Sequence, residues 1–555
     1  QGLPAQAVGP AGQDLTSRAD CGIALMADSW SNVTTDTPVP NGGEHVGVWP
    51  LDEHNAKLLD NVHPRGWKNP DRPADFVYDL IAVGAGAGGL VSAKQSARRG
   101  AKSALIEQHL AGGDCLNVGC VPSKALLRCA RAAAERRRED LACGVPAPGS
   151  EGVRFAAVME RMRRLRAQIA PVDSHQTTAD AGADVYVAKA VFTGKNEVTV
   201  GGRTLKFRKA VIASGARAKV PPIPGLAEAP YLTNSTLFNL TELPPRLVVL
   251  GGGPIGLEMA QAFRRFGSEV TVLEGLARIL GPEDPDASAA IHQTLVDEGV
   301  RIVAGVKVQG VEHTPGSPWP EIRIIISVGD APPETLVCDA FLVATGRAPN
   351  VEGLGLEAAG VEYKPGLGVK VADDLTTTNP DILAVGDVID RPEFKFTHMA
   401  GTMAGMAVQN ALFEGAGLPV NAPSGKLSDI VVPRCTYTEP EVASCGISHL
   451  EAAKAKGVEA EAYTSKLEHN DRAILEGADK GGFVRILCKK GTEEIIGATC
   501  VGERAGDMLA ELTLAVQQGI GLSAVARTVH PYPTMGEAIQ QCALAFNRAR
   551  WVKLG

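Results

Sequence analysis

Two cysteines, Cys115 and Cys120, are the residues of this sequence best suited to redox or metal chemistry. They lie in the stretch Gly-Gly-Asp-Cys-Leu-Asn-Val-Gly-Cys-Val-Pro-Ser-Lys, which spans residues 112–124 and leads into an apolar, helix-prone run. Such a pair is a redox couple, part of a metal site, or two inert buried thiols. A zinc site needs four ligands, and no second Cys or His pair at ligand spacing occurs nearby in the sequence. The residues alone leave a redox couple and inert thiols as the competing interpretations.

A glycine-rich turn upstream predicts the first element that would position the cysteines. The run Tyr78–Val83 has the pattern of a buried strand, and it is followed by Gly-Ala-Gly-Ala-Gly-Gly, a helical run and a second short strand that ends at Glu107. Gly84 makes the tight turn of such a unit, Gly86 lets the backbone approach a pyrophosphate, and Gly89 lets the helix pack on the strand. Glu107 stands where an acid binds a ribose hydroxyl. This order predicts a dinucleotide site.

The same unit recurs later in the chain. The runs 247–250 and 269–274 read as strands and the run 257–266 as a helix. The turn between them contains three glycines, Gly251, Gly253 and Gly256. The second strand ends at Glu274, whose carboxylate favours NAD over NADP because it would repel the 2′-phosphate, although nearby Arg278 weakens this preference. Two dinucleotide sites in one chain suggest a flavin and a nicotinamide, since hydride then passes between two carriers.

Three further strand ends resemble returns of the chain to these nucleotide sites. The first two run into the small-residue turns at Gly215 and at Gly346-Arg347. The third ends in Gly-Asp387, where the carboxylate is suited to accept a hydrogen bond from a ribityl hydroxyl. Taken alone, Asp387 is more simply interpreted as a cap of the next helix.

Composition sets the class of protein. The 555 residues are enough for three or four domains, and the net charge of −8 gives no general attraction to nucleic acid or anionic lipid. Eleven cysteines in this length do not resemble a secreted disulfide framework, and no apolar run is long enough for a membrane span. Residues 1–45 have the composition of a flexible arm or the remnant of a targeting region.

Two kinds of helix are predicted outside the nucleotide units. The apolar spacing at 51–62 predicts a short amphipathic helix packed on the body of the protein, in which His54 and His63 are more simply capping or exposed residues than metal ligands. The arginine-dense runs 131–140 and 161–166 are typical of solvated helix faces.

Taken together, the cysteine stretch, both glycine turns, Ala-Thr-Gly346-Arg347, Ala-Val-Gly386-Asp387 and His530-Pro-Tyr-Pro-Thr534 resemble the class I pyridine nucleotide–disulfide oxidoreductases. The resemblance runs from about residue 76 to 545. It implies an α/β fold with two Rossmann-like domains, for FAD and NAD, and an α+β C-terminal dimerisation domain. The expected boundaries are 1–75 for a partly flexible extension, 76–225 and 341–425 for the FAD domain, 226–340 for the NAD(P) domain and 426–555 for the interface domain.

The resemblance also implies roles for single residues. Cys120 is expected against the flavin as a thiolate, and Cys115 is expected to be the interchange thiol that meets the acceptor; a low thiol pKa would help both. Lys124 is expected near the isoalloxazine, paired with Glu258. The remaining nucleotide contacts implied are Glu107 on the FAD adenosine ribose, Asp387 on the ribityl chain, and Gly253, Gly256, Glu274 and Gly346 on the nicotinamide cofactor.

The C-terminal motif departs from this pattern. Disulfide reductases of the family carry a general acid–base His just before Pro-Thr, followed by an orienting Glu, whereas here Tyr532 occupies that place, His530 lies two residues earlier, and Glu537 is the following acid. Imidazole suits proton transfer near neutral pH far better than phenol does. A Tyr there is similar to mercuric reductase, although an N-terminal Cys-x-x-Cys domain and C-terminal vicinal cysteines are missing from this sequence. Asp114, where Thr is usual, is expected to raise the pKa of Cys115.

These observations predict an FAD-dependent NADH oxidoreductase that passes electrons through Cys115 and Cys120 to a disulfide, a thiol-bound metal ion or a quinone-like acceptor. NADPH is the alternative donor. Dihydrolipoamide dehydrogenase activity is the alternative reaction, and a structural or sensing flavoprotein is the alternative from another class. We expect a homodimer with the active site at its interface and no resident metal. We further expect a soluble intracellular protein, cytoplasmic or located in a plastid or mitochondrion after loss of a targeting segment.

Overall fold

The computed structural model describes residues 30, 33–35, 47–137, 152–413 and 425–554. Most of the predicted flexible arm, the end of the arginine run 131–140, and Cys21 and Cys143 lie outside the described residues.

The chain up to residue 237 builds a mainly parallel sheet. Its helices α1–α7 are Glu53–Val62, Ala87–Arg98, Gly113–Val118, Cys120–Glu135, Phe155–Ile169, His175–Asp180 and Asn234–Leu237. Its strands β1–β7 are Val77–Val83, Ser103–Glu107, Asp184–Val187, Ala190–Gly194, Glu197–Val200, Arg203–Ile212 and Ala216–Ala218. The order β3-β2-β1-β6 is parallel, and β5 and β4 extend it antiparallel. The central strand β1 is buried from Leu80 to Val83, as its continuous apolar run requires in a parallel sheet.

A second parallel sheet follows. Strands β8–β14 are Arg246–Leu250, Glu269–Glu274, Arg301–Ala304, Val306–Thr314, Glu321–Val328, Glu334–Cys338 and Ala340–Val343. Helices α8 and α9 are Pro254–Phe266 and Pro285–Asp297. The order β10-β9-β8-β14 is parallel, and β11-β12-β13 form a separate antiparallel sheet.

The chain then returns to the first sheet. Strands β15–β18 are Arg347–Pro349, Tyr363–Lys364, Gly368–Val369 and Ile382–Ala384, and helix α10 is Thr397–Leu412. Strand β18 pairs in parallel with β6, and α10 packs beside α2. The first nucleotide-type sheet is therefore completed only after the second one has been formed.

The last described segment is an antiparallel sheet covered by helices. Strands β19–β23 are Arg434–Thr436, Glu441–Gly446, Ala460–Lys466, Phe483–Lys489 and Ile495–Gly502, in the order β19-β20-β23-β22-β21. Helices α11–α15 are Leu450–Ala455, Asp471–Leu475, Ala505–Gln517, Leu522–Arg527 and Glu537–Leu554. Short 3₁₀ turns occur at Ala170–Asp173, Gly386–Val388, Pro392–Phe394, Leu427–Asp429 and Leu467–His469.

The predicted α/β fold with two Rossmann-type units and a C-terminal α+β unit is confirmed. The predicted strands around both glycine turns are present, and α8 begins three residues before the predicted start, because Pro254 occupies a first-turn position that needs no N–H donor. Helix α1 confirms the amphipathic helix predicted at 51–62. Within the described ranges, no helix is long and apolar enough to cross a bilayer.

The prediction of a solvated arginine face at 161–166 is wrong for two of its residues. Arg163 is 7% exposed and Arg166 is 1% exposed. Helix α1 lies against this face of α5, and its polar residues bind both guanidinium groups.

Candidate active site

The first glycine turn joins β1 to α2 and leaves room for a ligand only at its middle glycine. A Cβ on Gly89 would collide with the carbonyl oxygen of Gly84, and a Cβ on Gly84 would collide with that of Ala213. Gly84 has a φ of +102°, which also favours glycine. A Cβ on Gly86 would come no closer than 3.9 Å to Gly113. The turn is thus held tight by its outer glycines and open at its centre, which fits a pyrophosphate.

The second turn, between β8 and α8, has the same geometry. A Cβ on Gly256 would collide with the carbonyl oxygen of Gly251, and one on Gly251 would collide with that of Ala344. No described atom lies within 4 Å of the corresponding position on Gly253. In both turns the middle glycine is the N-cap of the helix, so the free N–H groups of the helix start lie next to it, where they can bind phosphate oxygens.

The acid that ends each second strand is fixed by two backbone donors. Glu107 Oε2 accepts from Ala85 N at 2.6 Å, and Oε1 accepts from His109 N at 2.7 Å. Glu274 Oε2 accepts from the N–H of the residue after Gly251 at 2.6 Å, and Oε1 accepts from Leu276 N at 2.7 Å. Burial raises the pKa of Glu107. Each carboxylate keeps further lone pairs for a ribose hydroxyl.

Arg278, the cation that weakened the preference for NAD, binds a backbone carbonyl. Its Nη1 donates to the carbonyl of Glu283 at 3.0 Å, within its own loop. Glu274 and Arg278 form no ion pair within the part of the chain that the structure describes.

The two cysteines lie on consecutive helices and differ in their chemistry. Cys115 is on α3, and Cys120 begins α4, with its Sγ 3.4 Å from Thr397 Oγ1. A hydrogen bond from the Cys115 thiol, aided by Thr397 and the charge of Lys124, lowers the pKa of Cys120 to about 6. The same hydrogen bond, together with burial, raises the pKa of Cys115. These opposite directions of the pKa favour a thiolate on Cys120 over one on Cys115.

This asymmetry corrects the expectation that a low pKa would help both cysteines. One proton is shared by two adjacent sulfurs, so stabilising the thiolate on Cys120 disfavours it on Cys115. The expectation for Asp114 also needs correction. Its carboxylate is paired with Arg347, and the raised pKa of Cys115 comes first from Cys120 and then from burial.

An ion pair between a partly exposed lysine and a buried glutamate lies beside Cys120. Lys124 Nζ is 2.9 Å from Glu258 Oε2, which places together the two residues that the resemblance paired. Glu258 is buried, and its Oε1 accepts from Tyr437 N at 3.0 Å. Lys124 Nζ also lies 4.2 Å from the centre of the Tyr437 ring. Tyr437 was not identified from the sequence, because it follows a strand more than 300 positions along the chain from Lys124.

Arg347 bridges two acids. Its Nε donates to Asp387 Oδ2 at 3.0 Å, its Nη2 donates to Asp114 and to the carbonyl of Ala216, and it is largely buried. The hydrogen bond found for Asp387 thus goes to Arg347 rather than to the following turn, where no side-chain cap is present in the described structure. The bridge ties the N-terminal end of α3 to the strand end that carries Asp387.

Gly215 and Gly346 flank this bridge. Both have positive φ, +68° and +122°, and no described atom lies within 4 Å of a Cβ built on either. They border open space at the ends of β6 and β14.

In the C-terminal motif the phenol of Tyr532 is exposed, whereas the imidazole of His530 is hydrogen-bonded on both ring nitrogens. The Tyr532 side chain is 68% exposed, and its hydroxyl donates to Asp471 Oδ2 at 2.6 Å, which raises the pKa of Tyr532. His530 Nε2 lies 3.0 Å from Glu511 Oε1, and Nδ1 lies 3.1 Å from the carbonyl of Thr528.

Glu537, the acid expected to orient this motif, begins α15 and accepts from Gln541 at 3.4 Å. Asp471 is therefore the partner of Tyr532, and the sequence did not indicate it because a contact between a loop and the first residue of a distant helix leaves no periodic signal. His530 is engaged on both ring nitrogens and does not replace Tyr532 in this conformation.

Metal-binding groups do not converge elsewhere in the described structure. Among the described residues, no three His, Cys, Asp or Glu side chains meet in a way that would hold a metal ion. The nine described cysteines are free thiols.

Comparison with known proteins gives a consistent result. A family profile described as pyridine nucleotide-disulphide oxidoreductase matches residues 78–415, and the profile of that family's dimerisation domain matches residues 432–543. A mercuric reductase of Lysinibacillus sphaericus is 33% identical over 477 residues, covering 85% of this chain and 83% of its own length. A dihydrolipoyl dehydrogenase of Thermus scotoductus is 32% identical over 481 residues, covering 85% of this chain and 98% of its own length.

Solved structures agree with this result. The HOCl-induced flavoprotein disulfide reductase RclA from Escherichia coli matches with a TM-score of 0.72 and 27% identity, covering 84% of this chain and 99% of that one. Its Cu(II) complex matches with the same TM-score and 26% identity, covering 85% and 99% of the two chains.

Proposed function

The chain belongs to the pyridine nucleotide-disulphide oxidoreductase family, and we propose that it uses NADH and FAD to reduce a thiol-bound metal ion through Cys115 and Cys120. The observation that carries this proposal is the exposed Tyr532 at the place of the family's general acid, with its hydroxyl bound to Asp471. In the balanced reaction, NADH, one proton and a bis-thiolate complex of Hg(II) give NAD⁺, elemental mercury and two free thiols. Two electrons leave the nicotinamide and two reach the metal.

The residues present fit both cofactors of the family. The open middle glycine of each turn, the strand-end acids and the helix starts form two cradles for dinucleotides. FAD in the first cradle would supply two-electron transfer between the nicotinamide and the cysteine pair. The residues proposed to hold FAD are Gly84, Gly86, Gly89, Glu107, Lys124, Gly215 and Asp387. Those proposed to hold NADH are Gly251, Gly253, Gly256, Glu258, Glu274 and Gly346.

NADH is favoured over NADPH by the charge at the second cradle. Glu274 is aimed along the turn by two backbone donors, while Arg278 is bound to a carbonyl of its own loop. A 2′-phosphate would meet the carboxylate without a facing cation.

The chain's own residues prepare the sulfurs for a soft metal. Cys120 is already a thiolate near neutral pH, and Cys115 loses its proton when a metal ion binds, because thiolates are the ligands of soft ions. Lys124 stabilises the negative charge at Cys120 and is itself neutralised by Glu258, which is buried. The pair thus presents one charged and one neutral sulfur to an incoming complex.

The C-terminal motif supports a metal rather than a disulfide as the acceptor. Reduction of a disulfide requires a proton for the departing thiolate, and Tyr532, with its raised pKa, is a poor acid near neutral pH. Its hydroxyl donates a hydrogen bond to Asp471, so the lone pairs of the phenol oxygen are left to accept or to coordinate. The names of the bacterial mercuric reductases and the Cu(II) complex of RclA are in keeping with a metal substrate.

Reduction of lipoamide is the second candidate. It is favoured by the dihydrolipoyl dehydrogenases among the relatives, and it requires His530 to leave Glu511 and reach the acceptor. A structural or sensing flavoprotein is the third candidate, and it gives no reason for an intact cysteine pair. The match to the dimerisation domain indicates a homodimer, and we propose that Tyr532 acts at its interface. An intracellular, reducing compartment suits a dithiol that is recharged by NADH.

The deciding experiment is anaerobic NADH oxidation with two acceptors in parallel: Hg(II) in excess small thiol, and lipoamide. We expect turnover with a metal complex, loss of that turnover in Cys120→Ser, and little turnover with lipoamide. Fast lipoamide turnover that Cys120→Ser abolishes would overturn the metal assignment. Tyr532→His is the matched variant, and it should raise lipoamide turnover if the missing acid is what limits it.

A further inference from the structure

Helix α1, which precedes the family match, contacts the loop that leads into α3. The carbonyl of Val62, its last residue, accepts from Ala111 N at 3.0 Å, and the ring of His63 lies 2.6 Å from the carbonyl of His109. Residues 109–111 lead directly from the strand-end acid Glu107 to α3. The segment before residue 78 therefore contacts the loop between the first nucleotide cradle and the redox pair.

A buried arginine connects α1 to the far end of α3. Arg166 Nη1 donates to the carbonyl of Asn117 at 2.6 Å, and Nη2 donates to Asn55 Oδ1 on α1 at 2.7 Å. Asn55 is itself fully buried and donates to the carbonyl of Pro50 at 2.7 Å. Asn117 lies between Cys115 and Cys120 in the sequence, so this chain of bonds ends inside the redox motif.

The bonds meet a structural need of α3. The last carbonyls of a helix have no partner within it, and this helix has only six residues. Arg166 binds the carbonyl of Asn117, and Asn234 binds that of Val118 at 3.2 Å. The side chain of Asn117 donates back to the carbonyls of Ala111 and Gly113, each at 2.9 Å. Both ends of α3 are thereby held by side chains.

Arg166 forms no ion pair among the described residues. Its hydrogen bonds go to a carbonyl and an amide, and Asp52, which lies 2.6 Å from Arg163 one turn earlier on α5, attracts Arg166 only at longer range. Burying a cation against neutral acceptors costs free energy, so the residue is poorly explained as a stabilising contact. A disulfide forms only when the two Cβ atoms lie within a narrow range of distances. The position of α3 relative to the start of α4 must therefore be fixed.

We propose that Arg166, held by Asn55 of the segment before the family match, is a positioning residue that fixes α3 so that Cys115 and Cys120 can close their disulfide. This inference rests on the proposed redox function of the pair. Loosening the C-terminal end of α3 lowers the effective concentration of one sulfur at the other and so disfavours the disulfide.

The test is the thiol–disulfide equilibrium of the full-length protein in dithiothreitol buffers, read by alkylation of free Cys115 and Cys120. For Arg166→Met we expect the equilibrium constant for closing the disulfide to fall about tenfold, which is a rise of about 30 mV in the two-electron potential. Arg166→Lys should recover part of this loss, because an ammonium group can still donate to one carbonyl. Asn55→Ala, which frees Arg166 but keeps its charge, should give a smaller shift, and it carries the test if Arg166→Met does not fold.

The matched control is Arg163→Met. This arginine is also buried on α5 and also binds the N-terminal segment, but its described hydrogen bond goes to Asp52 and not to the redox motif. We expect it to lower the denaturant midpoint while leaving the disulfide constant unchanged. Equal constants in wild type, Asn55→Ala and Arg166→Met would overturn the positioning role. A wild-type pair that forms no disulfide at any buffer ratio would instead refute the proposed function.

Discussion

The two glycine turns share their internal geometry and differ in their surroundings. Behind the first turn, a Cβ on Gly88 would press on Val385 at 2.8 Å, and Gly113 of the redox helix lies against Gly86. At the second turn, Pro254 and Ile255 at the start of α8 are exposed, and open space surrounds Gly253. The same motif is closed over in one place and open in the other. This difference fits a resident cofactor at the first turn and an exchanging one at the second.

The largest test of this comparison substitutes the third glycine of each turn. In Gly89→Ala and Gly256→Ala the new methyl group would collide with a carbonyl of its own turn, at a cost of about 3 kcal/mol or more if the turn must move. We expect Gly89→Ala to be purified without flavin and Gly256→Ala to keep flavin but lose reduction by NADH. The measurements are flavin absorbance per chain and anaerobic bleaching by NADH. Loss of flavin from both variants alike would contradict the separation of the two sites.

Helix α3, whose Gly113 lies against the first turn, carries Cys115, and Cys120 begins the next helix. The pH dependence of alkylation should distinguish these two sulfurs. Because the folded pKa of Cys120 is lowered to about 6, its thiolate is present above that pH and lost as pH falls through it. We expect the alkylation rate of Cys120 in the reduced protein to rise through about pH 6 and then level off, and at pH 7 to exceed that of Cys115 by about tenfold or more. The measurement is mass spectrometry after timed iodoacetamide pulses.

Lys124→Met provides the variant for this test, since the ammonium charge helps to lower the pKa of Cys120. We expect the midpoint of the alkylation curve to move to higher pH in this variant. A curve for Cys115 that coincides with that of Cys120 would refute the assignment of thiol and thiolate.

The middle glycine of the open turn gives a smaller effect on binding alone. Gly253 has φ −86° and ψ −179°, which alanine adopts readily, and no described atom would meet the added methyl group. We therefore expect Gly253→Ala to unfold at the wild-type temperature or slightly above it, while KM for NADH rises about tenfold because the methyl displaces a phosphate. Thermal unfolding and steady-state kinetics give the two readouts. A drop in unfolding temperature with unchanged KM would show that the open space holds no cofactor.

The elements around both turns were predictable because their signals are local. Strand, glycine spacing, helix and acid follow one another within about 30 residues, and the third glycine of each turn is required by a collision inside that turn. The bridge from Asp114 through Arg347 to Asp387, the contact of Tyr437 with Lys124 and the hydrogen bond from Tyr532 to Asp471 join distant parts of the sequence. They depend on how domains pack, which periodicity does not record.

The arginines of α5 show how a local pattern misleads. Arg163 and Arg166 have the spacing of a charged helix face, and such a face is usually solvated. Here the helix predicted at 51–62 covers it and brings Asp52 and Asn55 to the two guanidinium groups. Both helices were predictable, but their mutual packing was not, because polar partners 111 positions apart leave no mark on either segment.

The smallest expected effect concerns Glu107 at the end of β2 and Glu274 at the end of β9. The two acids have nearly identical hydrogen bonds. Glu274→Gln keeps one acceptor oxygen for the turn but removes the charge that would repel a 2′-phosphate. We expect the preference for NADH over NADPH, as a ratio of kcat/KM values, to fall about fivefold, close to 1 kcal/mol. Glu107→Gln is the matched control at the closed turn, and in its flavin-loaded fraction the ratio should stay at the wild-type value. If Glu107→Gln changed the ratio and Glu274→Gln did not, the assignment of the two turns would have to be exchanged.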